Sequence, residues 1–350
     1  MVDEAVKLAK IHQPGSAGLV NAILRNYLRK RENLVYPNLT EAPLEHIAVL
    51  HSHPRWLVER WLKSFGVEET AALCAANNEI PPITLRVNGL KVTREEARRE
   101  LAADNIEAGE TVFSPHGLNI AKHGPSLRET ASYQKGHVLL QDEASQLVGL
   151  LTAPQPGENV LDLCAGTGVK TTHLAEIMDN KGMIAACDIH TGKLASLREL
   201  ANRLGIGIVE TRVGDAATDK GPSWQGQFDR ALVDAPCSGL GTLRRNPEIK
   251  WRLRARDPKS LSGLQKQLLH SASACLKRGG TLVYSVCTVM PEENEAVIAD
   301  FLKHHRDFYS APPPASIDRA LTDQRGFFRT NTASHGTDGF FGAVLVKKRG

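Results

Sequence analysis

Two cysteines of this chain stand where side chains can react. Cys237 lies in Asp234-Ala-Pro-Cys-Ser-Gly and Cys287 in Tyr284-Ser-Val-Cys-Thr-Val, each just after a short apolar run that ends in a turn. Upstream, Asp162-Leu-Cys-Ala-Gly166-Thr-Gly168-Val-Lys170 sets a glycine loop between a strand pattern and a helix pattern, where an open α/β sheet presents backbone amides to a ligand. Thiols beside such a loop point to covalent catalysis, and a thiol needs positive charge, helix amides or a base nearby before enough of it ionises to attack. Methylation of a pyrimidine ring carbon has matching needs. Carbon 5 is a poor nucleophile until a thiolate adds to carbon 6. A carboxyl such as Asp234 then stabilises charge at ring nitrogen 3, a base removes the proton at carbon 5, and the thiol is expelled. Enzymes that methylate amino groups of nucleic acids place a stacking aromatic residue after Asp/Asn-Pro-Pro. Cys237 holds that place here, which favours carbon as the target. Taken singly, either cysteine reads more simply as a small buried residue; the two together at adjacent strand ends beside the loop favour chemistry, and spacing does not say which of them attacks.

Three ligands compete for the glycine loop. A phosphate-binding loop needs glycine just before Lys170 and another five residues earlier, where Val169 and Cys164 stand. A dinucleotide fingerprint needs a third glycine where Thr171 stands, which leaves it the weaker alternative. S-adenosyl-methionine fits better. Asp188 closes the second strand pattern, twenty residues after Gly168, where a carboxylate can take both ribose hydroxyls. Asp215 ends the third, in Gly-Asp-Ala, within reach of an adenine amine, and Asp162 and Asp234 add negative charge around a sulfonium cation. Any one of these aspartates could be a cap or turn residue, but four at successive strand ends suit a cation better than a pyrophosphate.

The elements that must position these groups are legible from periodicity. From Asn159 the chain alternates strand and helix, which predicts a doubly wound, mostly parallel sheet. Its strands are Val160-Leu-Asp-Leu, Met183-Ile-Ala-Ala-Cys, 208–213, Arg230-Ala-Leu-Val, Thr281-Leu-Val-Tyr-Ser and 340–346. Its helices cover 172–178, the run with Leu194, Leu197, Leu200, Ala201 and Leu204, a long one carrying Leu261, Leu264, Leu268, Ala272 and Leu276, and 292–304. Before it, Ile83-Thr-Leu-Arg-Val reads as a strand, and Thr93 with Glu96 as a capping box, giving a small α/β module over 76–137. Residues 1–75 read as a helical unit: an amphipathic helix with a basic face over 19–28, then one that opens at Pro54, carries Trp56, Leu57, Trp61 and Phe65 inward and stops at Gly66. Asn77-Asn-Glu-Ile-Pro-Pro82 marks a boundary.

Composition narrows the class. With 350 residues, 41% apolar and 23% charged, the chain can bury a substantial core. No apolar run reaches a membrane span, and the N-terminal residues lack a basic start followed by an apolar stretch, so an intracellular, cytoplasmic protein is expected, with no membrane partner and acting as a monomer. Six cysteines without a Cys-x-x-Cys pair indicate reduced thiols and no bound metal. The net charge of +4 is unevenly placed: between Arg244 and Lys259 seven basic residues face two acidic ones, so the rest of the chain sums to −1. Arg244, Arg245, Lys250 and Arg252, with Trp251 for stacking, are therefore the expected RNA contacts; a solvated helix face is the plainer alternative.

The chain resembles the Fmu/Sun (RsmB-type) ribosomal RNA cytosine-C5 methyltransferases, within the Nop2/Sun group. The resemblance rests on Gln141-Asp-Glu-Ala-Ser, the glycine loop ending Lys170-Thr-Thr-His, Asp234-Ala-Pro-Cys-Ser-Gly-Leu-Gly-Thr-Leu-Arg-Arg-Asn-Pro-Glu-Ile-Lys-Trp, Ser285-Val-Cys-Thr and Asp338-Gly-Phe-Phe. It implies a class I, Rossmann-like seven-stranded domain over 138–350, an RRM-like module before it, and S-adenosyl-L-methionine as cofactor. By the same resemblance Cys287 is the nucleophile, Cys237 assists release, and Asp234 and Lys170 lie near the target base. Cys164, Ala165, Gly166, Thr167, Gly168, Val169, Lys170, Asp188, Asp215 and Asp234 would line the cofactor pocket. Two departures are visible. The family loop usually reads Ala-Pro-Gly-Gly-Lys, against Gly166-Thr-Gly-Val-Lys170 here. Of the family's NusB-like helical domain only the closing part, around Gly18-Leu-Val-Asn-Ala-Ile-Leu-Arg-Asn, is recognisable. The expected substrate is a cytosine in small-subunit (16S) ribosomal RNA. The alternatives are a tRNA or DNA cytosine and a non-catalytic RNA-binding or assembly factor.

Overall fold

Short aliphatic runs, each closed by an acidic, glycine or cysteine turn, become the strands of a large sheet. The computed structural model of the protein describes residues 2–122, 126–215 and 224–349. These divide into two compact units, 1–70 and 71–350.

The first unit is helical: α1 (Val2–His12), α2 (Ala17–Lys30), α3 (Pro43–Leu50) and the start of α4 (Arg55–Ala76). The expected stop at Gly66 is instead a kink. Gly66 takes φ 80° and ψ −177°, a conformation open to glycine, and the helix resumes beyond it. Trp61 is buried as expected, whereas Trp56 is only half-buried, with the Arg60 guanidinium 5.7 Å from its ring centre.

The second unit holds two sheets. The smaller has the order β2 (Glu107–Glu110), β3 (Gly117–Lys122), β1 (Thr84–Val87), β4 (Val138–Leu140). Helix α5 (Arg94–Ala103) places Ala97 and Leu101 against Leu85, Val87, Leu118 and Val138. Its capping box forms as expected: the Glu96 amide donates to Thr93 Oγ1 and the Thr93 amide to Glu96. Helix α6 (Ala131–Gln134) precedes β4.

The larger sheet is built from β5 (Asn159–Asp162), β6 (Met183–Asp188), β7 (Val209–Val213), β8 (Phe228–Asp234), β9 (Leu276–Val286), β10 (Phe308–Ala311) and β12 (Phe341–Lys347), with the two-residue β11 (Phe328–Arg329) beside β12. Across the sheet the order is β10-β12-β9-β8-β5-β6-β7. β5 to β9 run parallel, and β12 lies antiparallel to both of its neighbours. This is the doubly wound, mostly parallel sheet expected, with two short strands that periodicity does not announce.

Alternation along the strands sorts the core into two layers. Leu161, Ala231 and Leu282 face Leu268 and Ala272 of α11 (Asp257–Cys275) and Val297 and Ile298 of α12 (Glu295–His304). Val160, Leu232 and Val283 face α7 (Glu143–Thr152), α8 (Val169–Ile177) and α9 (Thr191–Leu204). Each such aliphatic side chain contributes roughly 1.5–3 kcal/mol by leaving water. Leu276, expected on the long helix, instead opens β9: its backbone is extended and it pairs with Phe228. The short helices α10 (Ile249–Arg252) and α13 (Thr332–His335) sit in connections. Among the described residues no helix is long and apolar enough to cross a membrane.

Candidate active site

Strand order reverses between β5 and β8, and such a switch point opens a crevice at the carboxyl ends of the strands. Asp162 ends β5 and Asp234 ends β8. Asp234 pairs in register with Ser285, two residues before Cys287, which follows β9. Parallel pairing thus brings Cys237 and Cys287, 50 residues apart in sequence, to an Sγ–Sγ distance of 3.4 Å. Both are partly exposed. Cys237 is held well above the usual thiol range by its hydrogen bond with Cys287, by burial and by the nearby negative charge of Glu293.

Asp234 is held at both oxygens: Lys170 Nζ donates to Oδ2 at 2.7 Å and Ser285 Oγ to Oδ1 at 2.5 Å. Burial works against the Lys170 charge, but the Asp234 carboxylate outweighs it and raises the ammonium above its ordinary value, with Cys287 acting in the same direction. The ammonium also lies 5.2 Å from the ring centre of Phe340.

Behind this pair is a pocket of about 180 Å³ lined by Asp162, Cys164, Ala165, Gly166, Thr167, Val169, Lys170 and Asp234. Gly168 shapes it from outside: its φ of 84° is left-handed, and a Cβ there would lie 2.4 Å from Leu197 Cγ. Asp188 braces the loop, accepting from the Gly166 amide at 3.0 Å and from the His190 amide at 2.8 Å. Asp162 Oδ2 accepts from Thr171 Oγ1 at 2.7 Å, while the buried Oδ1 has no hydrogen-bond partner. Burial pushes this carboxyl up to about 7. An orphaned buried carboxylate oxygen, a second carboxylate and a cradle of loop backbone fit a cationic ligand with polar groups. Asp215 is exposed just beyond β7 and does not line this pocket, and Ala216, which follows it in the motif, lies outside the described residues.

The basic segment is not the free stripe that its composition suggests. The Arg245 guanidinium donates to Asp338, to Asp142 at 2.7 Å and to the Pro82 carbonyl. The Arg244 side chain is almost wholly buried, 3.8 Å from Asp338, and donates to the Gly336 carbonyl. Lys250 is buried and donates to Asn78. Two buried carboxylates, contributed by distant segments, draw the two arginines inward. Trp251 and Arg252 are exposed, as are Arg254, Arg256 and Lys259.

The structure adds groups that no motif singles out as site residues. Glu293 is fully buried under the Cys237 loop. Arg86, fully buried on β1, donates to the Val169 carbonyl at 2.6 Å, to Thr172 at 3.0 Å and to Glu176 at 2.9 Å, and also to Gln141. A charge inside the apolar run Ile83-Thr-Leu-Arg-Val is the one signal the sequence offers for it. Gly241 and Gly339 lie back to back. A Cβ on Gly241 would meet the Gly339 carbonyl oxygen at 1.8 Å, the Gly339 amide donates to Gly241 O at 2.8 Å, and the Gly241 amide donates to Cys287 O at 3.0 Å.

Comparison with known proteins gives two family matches, described as 16S rRNA methyltransferase RsmB/F over residues 149–346 and as an RsmF/B-like ferredoxin-like domain over residues 53–126. The chain is 37% identical to a probable ribosomal RNA small subunit methyltransferase B of Bacillus subtilis, covering 99% of this chain and 78% of that one. A protein of the same description from Synechocystis sp. is 36% identical, with the same coverage. The crystal structure of PH0851 superposes with a TM-score of 0.84 at 34% identity, covering 97% of this chain and 75% of that one.

Proposed function

The chain belongs to the 16S rRNA methyltransferase RsmB/F family, and we propose that it methylates carbon 5 of a cytosine in 16S ribosomal RNA through a transient bond between Cys287 and ring carbon 6. The methyl group is supplied by S-adenosyl-L-methionine, whose sulfonium makes it an electrophile. The observation that carries the reading is the meeting of two partly exposed thiols, 3.4 Å apart, with the Lys170–Asp234 pair at the rim of an acidic pocket.

In this reading the Cys287 sulfur forms the S–C6 bond and the electron pair moves onto the ring, making carbon 5 nucleophilic. Nitrogen 3 takes up a proton as the S–C6 bond forms, balancing the one the Cys287 thiol has lost to solvent, and Asp234, fixed by Lys170 and Ser285, accepts a hydrogen bond from it. After methylation a base takes the proton from carbon 5, the S–C6 bond breaks, and Cys237 assists that release. Asp162, Asp188 and the loop from Cys164 to Lys170 hold the methyl donor. The cytosine has to leave its stack to reach Cys287, so single-stranded or loop RNA is the substrate form. In this reading Trp251 and Arg252, both exposed, contact that RNA.

The test is incubation with labelled methyl donor and 16S rRNA, followed by bisulfite mapping. Cys287→Ala is expected to abolish methyl transfer and Cys237→Ala to accumulate protein covalently linked to RNA. The opposite pattern would reverse the two thiol roles. Label on tRNA or DNA but not 16S rRNA would overturn the substrate, and label outside carbon 5 would overturn the chemistry.

A further inference from the structure

Two thiols of the same residue type, 3.4 Å apart, need something to make them unequal. Glu293 lies between Cys287 and α12 in the chain and is fully buried. Its Oε1 accepts from the Ser238 amide at 2.8 Å and from Gln265 Nε2 at 3.0 Å, and its Oε2 from Ser238 Oγ at 2.5 Å. Ser238 follows Cys237 directly, and the same Gln265 amide also donates to the Pro236 carbonyl at 3.0 Å, so the carboxylate grips the Cys237 turn from both sides. Ser238 Oγ lies 2.8 Å from Thr288 Oγ1, the residue after Cys287, and the Tyr284 hydroxyl donates to the Glu293 carbonyl at 2.6 Å. Burial leaves the Glu293 carboxyl above its ordinary value, although the hydrogen bonds from Ser238, Gln265 and Thr288 oppose it, and every side-chain partner it has can donate to the ionised form. The Lys170 ammonium, paired with Asp234, is within electrostatic reach of Cys287.

We propose that Glu293 is the positioning residue that divides the labour between the thiols. Its buried carboxylate, fastened to the Cys237 turn, makes Cys237 the sulfur that keeps its proton, and Cys287 is thereby left as the sulfur that attacks. The groups facing Cys237 agree with this arrangement: the hydrogen bond with Cys287, burial and the Glu293 carboxylate all disfavour its thiolate, and the Gly239 amide opposes them. A like charge at this range disfavours a thiolate, and each pKa unit of separation is a tenfold difference in ionised fraction. With its proton retained, Cys237 donates the hydrogen bond between the sulfurs and steadies the Cys287 anion.

The inference rests on the covalent reading above, but its test needs no nucleic acid. The free, full-length protein is treated with limiting iodoacetamide from about pH 6 to about pH 9.5; each ionised sulfur forms an S–C bond as iodide leaves, and peptide mass spectrometry counts the two sites separately. In the unmodified protein Cys237 is expected to resist alkylation, Cys287 reacting at least about tenfold faster near neutrality. Glu293→Gln, nearly isosteric, should bring that ratio toward parity by about tenfold or more. Coincident pH profiles in the unmodified protein, or an unchanged ratio in a Glu293→Gln protein with the parent melting temperature, would overturn the assignment. Should that variant not fold, Ser238→Ala, which removes the hydroxyl that ties the Glu293 carboxylate to the Cys237 turn, takes its place, and an unchanged ratio there would equally overturn the assignment. Absence of methylcytosine in the RNA assay is a separate result that bears on the reading and not on the thiol ratio.

Discussion

Asp162 is a carboxyl in an environment that resists its charge. Burial is the main cause of its rise to about 7; the hydrogen bond from Thr171 opposes the rise and the Asp234 charge adds to it. In the unfolded chain the group titrates near 3.8, so between these values the folded protein holds a proton that the unfolded chain has lost. Its contribution to stability is therefore full below the lower value and fades as pH rises through the upper one. A bound cation reverses the preference, because it favours the ionised form. The dissociation constant for S-adenosyl-L-methionine, measured by calorimetry, should fall about tenfold from about pH 6 to about pH 8. Asp162→Asn should remove that dependence, weaken binding at the upper pH, and raise the melting temperature of the ligand-free protein there. A dissociation constant that is flat with pH in the unmodified protein would place the cation elsewhere.

At the scale of elements, the two sheets of the second unit are joined by a side chain. Arg86 leaves β1 and runs along α8 from its first residue, Val169, to Glu176 in its last turn; this is the helix that begins at the loop lining the pocket. Its ion pair with Glu176 is fully buried on one side and 5% exposed on the other. Removing one partner of such a pair strands the other, at a cost of about 3–5 kcal/mol, whereas apolar replacement of both is far better tolerated. Urea unfolding should show Arg86→Met losing that amount and Arg86→Met/Glu176→Met regaining more than half; a double variant no more stable than the single would refute the clamp. None of this is legible from local pattern. The alternation from Asn159 reveals the strands and helices because each is a run with its own period. A partner 90 residues away leaves no trace in that period. The same gap explains β10 and β11, four and two residues long and too short to show a period, and the helix through Gly66, where a glycine that reads as a stop is a kink between two helical runs. The thiols are legible as a pair because each ends a strand, but the contact between them depends on β8 and β9 being neighbours. Glu293 is hidden in a loop of ordinary acidic composition.

Across the whole molecule, charge that looks like one patch in the sequence separates into two populations. Arg244, Arg245 and Lys250 answer partners from Asn78, Asp142 and Asp338, while Arg252, Arg254, Arg256 and Lys259 point outward. Composition counts both alike, since the partners come from segments far away in the chain. The two groups should separate by experiment. Replacing the four outward cations with Ala is expected to reduce the slope of log affinity against log salt for 16S RNA by roughly 0.7 for each phosphate no longer neutralised, read by anisotropy between low and moderate salt, with the melting temperature unchanged. Arg245→Ala should lower the melting temperature and leave the slope nearly untouched. Equal slopes for the parent and the fourfold variant would move the RNA path to another face.

The abutting glycines 241 and 339 tie the Cys237 turn to the segment that leads into β12, and β12 in turn completes the sheet between β9 and β10. Because the Gly241 amide also donates to the Cys287 carbonyl, the two thiol-bearing turns and the lead-in to β12 share one chain of backbone hydrogen bonds. Even a single methyl at position 241 would force that lead-in away from the Cys237 turn, so a change that touches neither sulfur would be felt at both.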